Sequence, residues 1–266
     1  DDIGNFLLRV ASDVYDVGAE RPVVHSLRVS QEESWRMRNN YRQALIKTHH
    51  EDEPNLYIYE FTIDSPRTIS LHCSEIQHDA RFDDYVFEMK ASLSLESFKE
   101  RFKQVFKTHG WTDGYVKLGQ YALSNLLGGI IYLHGSTFTL VHGKEHHEIV
   151  ESQPISLFTD TPSRSTFARG FLWDSGFQNL LIQDWNPLLT VKILASWLEQ
   201  MSEDGWIARE QIPGKEARAN VPGQLCIQNP QYANPPGLLL SVNRLIEKLD
   251  TFTADVKPQV SAFLKA

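Results

Sequence analysis

Only two cysteines, Cys73 and Cys226, occur in 266 residues, and no Cys-X-X-Cys spacing exists. A cysteine-based zinc or redox site is therefore unsupported, and at most one internal disulfide is available. No apolar run approaches the roughly 20 residues of a membrane helix. Lysine and arginine form no runs and the net charge is −8, so the basic footprint of a nucleic-acid binder is missing. No Asn-X-Ser/Thr sequon is present. Aromatics are plentiful at 11%, six of them Trp. They suit both a large core and a surface that stacks on sugar rings, and composition does not choose between these. Hydrophobic residues at 41% against 23% charged suit a globular chain of one large or two ordinary domains.

Residues 1–20 are weakly patterned, with helical character around Ile3–Val14. From Arg21 to about Leu95 the period shifts towards two. Strands are expected at Val23–Val29, Leu56–Ile63, Thr68–Cys73 and Tyr85–Leu93, as part of an antiparallel β-sandwich. The charged stretch Glu32–Glu53 reads as a mobile insertion. At Ser94 the spacing turns helical, with Leu95, Phe98, Phe102, Val105 and Phe106 on one face. Three parts are expected: residues 1–94 as a β-sandwich part, 95–114 as a linker helix and 115–266 as a mainly helical domain. Within the last, Tyr115–His134 reads as a buried helix interrupted by Gly128-Gly129, and Gly135–Ile155 as a loop or short hairpin. His142, His146 and His147 fall in that hairpin without a spacing typical of zinc, so a solvated loop is preferred and no metal is expected. Asn186–Ser202, Pro236–Leu249 and Thr251–Leu264 read as further helices, with Pro187 at a first turn and Pro258 weakening the last. Asp204–Pro236 is irregular, and such long segments in a helical domain often carry function.

The richest stretch is Phe167–Gln178, FARGFLWDSGFQ. Trp173 offers a flat face for sugar C–H groups, and Asp174 beside it offers a carboxylate for two vicinal hydroxyls. Arg169 suits orienting that carboxylate or donating to the sugar. The competing reading makes Trp173 core and Asp174 a helix cap. Asp204–Arg218, DGWIAREQIPGKEAR, sets Arg209 beside Glu210 and repeats the theme with Glu216 and Arg218. It reads either as a polar rim for a polyhydroxylated ligand or as a self-paired loop. Tyr232–Pro236 is a rigid turn in which Asn234 presents both a donor and an acceptor.

Taken in order, PSRSTFARGFLWDSGF, DGWIAREQIPGKEAR and QNPQYANPPGLLL closely resemble the processing α-glucosidases of glycoside hydrolase family 63. The segments FKERFKQVFK and LGQYALSNLLGGIIYLHG resemble the same family, and the likeness spans roughly residues 85–245. The resemblance implies an (α/α)6 barrel, preceded by a β-sandwich of which residues 1–84 are a remnant. It implies inverting hydrolysis of the terminal α-1,2-linked glucose of the Glc3Man9GlcNAc2 N-glycan precursor, without metal or cofactor, in the endoplasmic reticulum lumen. The family's sugar-pocket residues correspond to Phe167, Phe171, Trp173 and Asp174, and to Arg209 and Glu210. In the family the aspartate after Trp binds glucose rather than donating the proton.

Departures accompany the likeness. The family usually reads PRGFLWDEGFH, where this chain has Ala168, Ser175 and Gln178; it usually has Pro-Glu-Phe where Gly223-Gln224-Leu225 stand, and NPPT where Gly237 stands. The family's acid motif, Ser-Gly-Leu-Asp-Asp-Tyr-Pro-Arg-like, does not occur. A twelve-helix barrel also exceeds the about 170 residues after the boundary, which hold about five or six helices. The expectation is a piece of the enzyme, opening at Asp1 as a processed or excised segment does. No catalytic residue is assigned within it, and the general acid and base lie outside, with the remainder of the enzyme chain as partner and any membrane anchor beyond Asp1. The alternative is a glycan-binding homologue on the same scaffold that does not catalyse.

Overall fold

The structure is a computed structural model that describes residues 6–12, 23–27, 56–61, 69–75, 84–143, 146–219 and 221–266. The expected insertion Glu32–Glu53 lies outside these residues. The chain divides into two units, Asp1–Arg101 and Phe102–Ala266.

In the first unit β1 (Phe6–Ser12) pairs antiparallel with β4 (Ile69–Glu75), and β2 (Val23–Leu27) with β3 (Leu56–Glu60). Leu27 is buried against Leu56 and Ile58. The helical character expected around Ile3–Val14 is corrected at Phe6–Ser12 to a strand: the β1–β4 ladder satisfies a backbone whose local propensity was weak. The strand expected at Tyr85–Leu93 is instead the start of helix α1 (Asp84–Phe106). Tyr85, Phe87, Met89 and Leu93 alternate as a strand would, yet all four are exposed, so no face was there to reward the alternation. Glu88, Met89, Lys90 and Ala91 favour helix.

In the second unit α2 (Asp113–Leu127) starts at Thr112, whose hydroxyl accepts the Tyr115 N–H at 3.4 Å. It stops at Gly128-Gly129, not at His134. The β-branched and aromatic run that follows forms β5 (Ile131–Gly135), antiparallel to β8 (Ile155–Thr159). A hairpin does occupy the Gly135–Ile155 region, as β6 (Phe138–His142) and β7 (His147–Glu151); β11 (Ile227–Gln228) adds to it parallel to β6.

Helix α3 (Leu172–Trp185) leads through Asn186 into α4 (Pro187–Leu198). The Asn186 side chain accepts the Leu189 N–H at 3.2 Å, and Pro187 takes the first turn, where its missing N–H costs nothing. Ile193, Leu194 and Trp197 of α4 are fully buried, with Leu133, Leu157, Leu172, Ile182, Leu238, Leu245 and Val260 completing the core. A short α5 (Gly214–Ala219) sits in the irregular region. Helices α6 (Leu238–Lys248) and α7 (Lys257–Lys265) close the chain. Pro258 lies in the first turn of α7 and is compatible with it. Asp184 of α3 accepts Arg244 Nη2 at 2.7 Å and also pairs with Lys248, tying α3 to α6. Cys226 is a buried free thiol. Among the described residues no helix is long and apolar enough to cross a membrane.

Candidate functional site

Three stretches distant in sequence meet at the N-terminus of α3. The first contact is a two-residue ladder: β9 (Gly170–Phe171) lies antiparallel to β10 (Glu210–Gln211), with Phe171 opposite Glu210. The Leu172 N–H extends it by donating to the Arg209 carbonyl at 3.0 Å. Short as it is, this ladder sets FARGFLWD against IAREQ.

The second contact joins α3 to the turn before α6. A Cβ on Gly237 would lie 2.7 Å from the Trp173 carbonyl oxygen, so the backbone approach is one that only glycine permits. Ser241 Oγ–H donates to the Gly176 carbonyl at 2.7 Å. Asn234 completes the triangle, its Nδ2 donating to the Ile207 carbonyl at 3.4 Å. Its amide thus holds the turn before α6 against the stretch preceding β10.

Arg169 is buried at 8% exposure. Its Nε donates to Glu210 Oε2 at 2.9 Å, and its guanidinium lies over the rings of Phe171 and Phe167 at 4.7 and 5.4 Å. The two rings meet edge to face with centroids 5.8 Å apart. Phe171 is buried and Phe167 half exposed. The Glu210 N–H donates to Gln228 Oε1 at 3.1 Å. Glu210 is thereby held at both backbone and side chain, and its carboxylate is charge-compensated.

Asp174 sits in the first turn of α3, where the helix dipole favours an anion. Burial nevertheless raises its carboxyl above the usual carboxylate range; its own backbone N–H and Arg209 oppose that, and Glu210 adds to it. These influences place Arg209 and Glu210 in electrostatic reach of Asp174. Trp173 precedes it, half-buried, meeting Phe177 edge to face at 5.9 Å. The Asp174 carboxylate and the exposed Arg209 guanidinium are thus within electrostatic reach of each other beside the Arg169–Glu210 pair, with the Trp173 indole one residue before Asp174 on α3. That set can stack on one face of a sugar ring and take its hydroxyls from the side.

Phe167, Arg169, Phe171, Trp173, Asp174, Arg209, Glu210 and Asn234 are thus brought into one region by the fold. Arg218 is not part of it in the same way: it donates to the Ser136 carbonyl at 2.8 Å and covers the Phe138 ring at 4.6 Å. Asp160 escaped the sequence reading. It is 1% exposed, and its Oδ1 accepts from Ser175 Oγ at 2.5 Å and Asn179 Nδ2 at 3.3 Å. Its Oδ2 has no hydrogen-bond partner among the described residues. Burial, only partly offset by these donors, pushes its pKa to about 6. The carboxylate that Ser175 lacks relative to the family pattern is thus found one hydroxyl away, at the end of β8. No periodicity signals that Asp160 turns inward.

The model of the glycosyl hydrolase family 63 C-terminal domain matches residues 83–266. The chain belongs to glycosyl hydrolase family 63. A mannosyl-oligosaccharide glucosidase of Arabidopsis thaliana is 31% identical over 287 residues, taking in 100% of this chain and 34% of that protein. An alpha-glucosidase 2 of the same plant is 33% identical over 232 residues, 80% of this chain and 29% of its own length. The mannosyl-oligosaccharide glucosidase of Saccharomyces cerevisiae is 45% identical over 152 residues, 52% of this chain and 18% of that protein. The chain therefore spans about a third or less of the length of these relatives.

Proposed function

We propose that this chain carries the glucose-binding part of an inverting exo-α-1,2-glucosidase. Its substrate is the Glc3Man9GlcNAc2 N-glycan precursor, from which it trims the terminal glucose in the endoplasmic reticulum lumen. The observation that carries this reading is the meeting of Trp173, Asp174, Arg209 and Glu210 through the β9–β10 ladder. The names of the relatives support the substrate class. We infer further that the helices of the second unit belong to an (α/α)6 barrel and that β1–β4 belong to a β-sandwich; the helices α2 to α7, with strands between them, support the former.

In this reading Trp173 stacks on the glucose ring, Asp174 accepts two vicinal hydroxyls and Arg209 neutralises the charge that Asp174 brings. Arg169 does not touch the sugar; it holds Glu210 and the two phenylalanines in place. Inversion needs two carboxylates about 6.5–9.5 Å apart with a water between them. Glu210 is committed to Arg169, so neither proton-transfer role is assigned to it.

Calorimetric titration with deoxynojirimycin and with the α-1,2-linked disaccharide kojibiose tests the proposal. Binding that disappears in Asp174→Ala is expected, and equal affinity in the variant would remove Asp174 from the sugar pocket. Release of glucose from a triglucosylated glycan by this chain alone would overturn the assignment of proton transfer elsewhere.

A further inference from the structure

The loop end of the β6–β7 hairpin holds a side-chain group that the sugar site does not use. His142 and His147 are Cα partners there. Their Nδ1 atoms lie 3.1 Å apart, with ring centroids at 4.6 Å and planes at 79°. His142 Nε2 lies 2.9 Å from Asn229 Oδ1, and that oxygen also accepts the Gln231 N–H at 3.0 Å.

These partners define the tautomers. An amide oxygen only accepts, so His142 carries its proton on Nε2 and keeps a lone pair on Nδ1. His147 must then donate from its own Nδ1. Two ring nitrogens thus face each other across a single proton, outside any helix and next to solvent, with His142 half-buried and His147 exposed.

We propose that His142 and His147 form a two-histidine chelate for a divalent transition-metal ion of the zinc, copper or nickel class. The ion takes the place of the shared proton. His147 moves that proton from Nδ1 to Nε2, so both rings stay neutral and the ion keeps its charge. Metal–imidazole bonds of 2.0–2.1 Å at a tetrahedral centre separate the two nitrogens by about 3.3 Å, close to the spacing already present. Imidazole is a ligand that these ions favour. The Nε2–H of His142 already rests on an amide oxygen that a backbone N–H holds in place, which is the outer support that metal-bound histidines use. Water completes the coordination. The ion would clamp β6 to β7 at the loop end of the hairpin, and the His142–Asn229 contact would carry that restraint to the stretch after β11.

Titration calorimetry with zinc chloride in a non-coordinating buffer near neutral pH tests the site, on the chain as it stands and on His142→Gln and His147→Gln. One site per chain that vanishes in either variant is expected. No binding, or binding that both variants retain, overturns the proposal. Imidazole nitrogen NMR of the unsubstituted chain removes any doubt from misfolded variants. Zinc should move the Nδ1 resonances of His142 and His147 and leave the other histidines in place, and shifts confined to other histidines refute the site.

Discussion

A Cβ placed on Gly176 would lie 2.1 Å from the carbonyl carbon of Gly237, so α3 and the turn before α6 meet backbone to backbone. Neither side can yield cheaply, because the obstructing atoms are main chain. Alanine at position 176 gains up to about 1 kcal/mol of helix propensity. Overpacking a tight contact costs about 1–3 kcal/mol, and here the larger end applies. Gly176→Ala should therefore be net destabilising in urea unfolding. It should also weaken glucose-analogue binding, since Trp173 and Asp174 ride on the same turn of α3. An unchanged unfolding midpoint would show that the contact is looser than described.

The Arg169–Glu210 pair is mostly buried, with side-chain exposures of 9% and 19%. Removing one partner leaves the other charge without compensation, at about 3–5 kcal/mol for a buried pair. Arg169→Ala is expected near the top of that range, because stacking on Phe167 and Phe171 is lost as well. Arg169→Lys keeps the charge but not the planar fork over two rings, so it should recover only part of the loss. Full recovery by lysine, measured by denaturant titration, would reduce the role of Arg169 to charge alone.

Asp174 should account for more of the sugar affinity than any other carboxylate of the site. Hydrogen bonds to a charged group contribute about 1.5–3 kcal/mol, so Asp174→Asn should weaken deoxynojirimycin binding by roughly 10- to 100-fold. Because burial raises its carboxyl, Asp174 loses its charge earlier on acidification than an exposed aspartate does. Affinity should accordingly decline towards low pH in the unsubstituted chain and much less in Asp174→Asn. Parallel pH profiles for the two proteins would contradict this.

Asp160 gives a pH signature in stability rather than in binding. Its folded pKa of about 6 lies above the ordinary carboxylate value, so the native state holds the proton more tightly than the unfolded chain. Its contribution is therefore complete below about pH 4 and is lost as pH rises to about 6, a span worth about 3 kcal/mol. Asp160→Asn cannot ionise, and its oxygen still accepts from Ser175. The substituted chain should gain on the original between those two pH values, followed by urea unfolding at intervals. A stability difference independent of pH would show that Asp160 does not titrate in this range.

Much of the helical unit was legible in the sequence. Apolar periodicity with Pro187 at the first turn located α4, Pro236–Leu249 anticipated α6, and Gly135–Ile155 was read as a loop or short hairpin. Errors arose where a segment is ambiguous without its neighbours. Gly128-Gly129 was read as the interior of a helix, but β8 offered the following IIYLHG run a partner and converted it to β5. Tyr85–Leu93 alternates like a strand, yet its backbone closes its hydrogen bonds within a helix.

The sequence by itself determined the family, because three ordered motifs are matched by residue type, and type is what a sequence records. It also determined which side chains were available to a sugar: an indole, an aspartate, an Arg-Glu pair and an amide. Only the tertiary structure decided which of them meet. It paired Arg169 with Glu210 across 41 positions, brought Gly237 onto Trp173, and turned Asp160 inward to the hydroxyl of Ser175. Each of these is a contact between residues remote in sequence. Such contacts form because burying a charge requires a partner and a close backbone approach requires glycine on both sides. Local spacing records neither condition until the chain has folded.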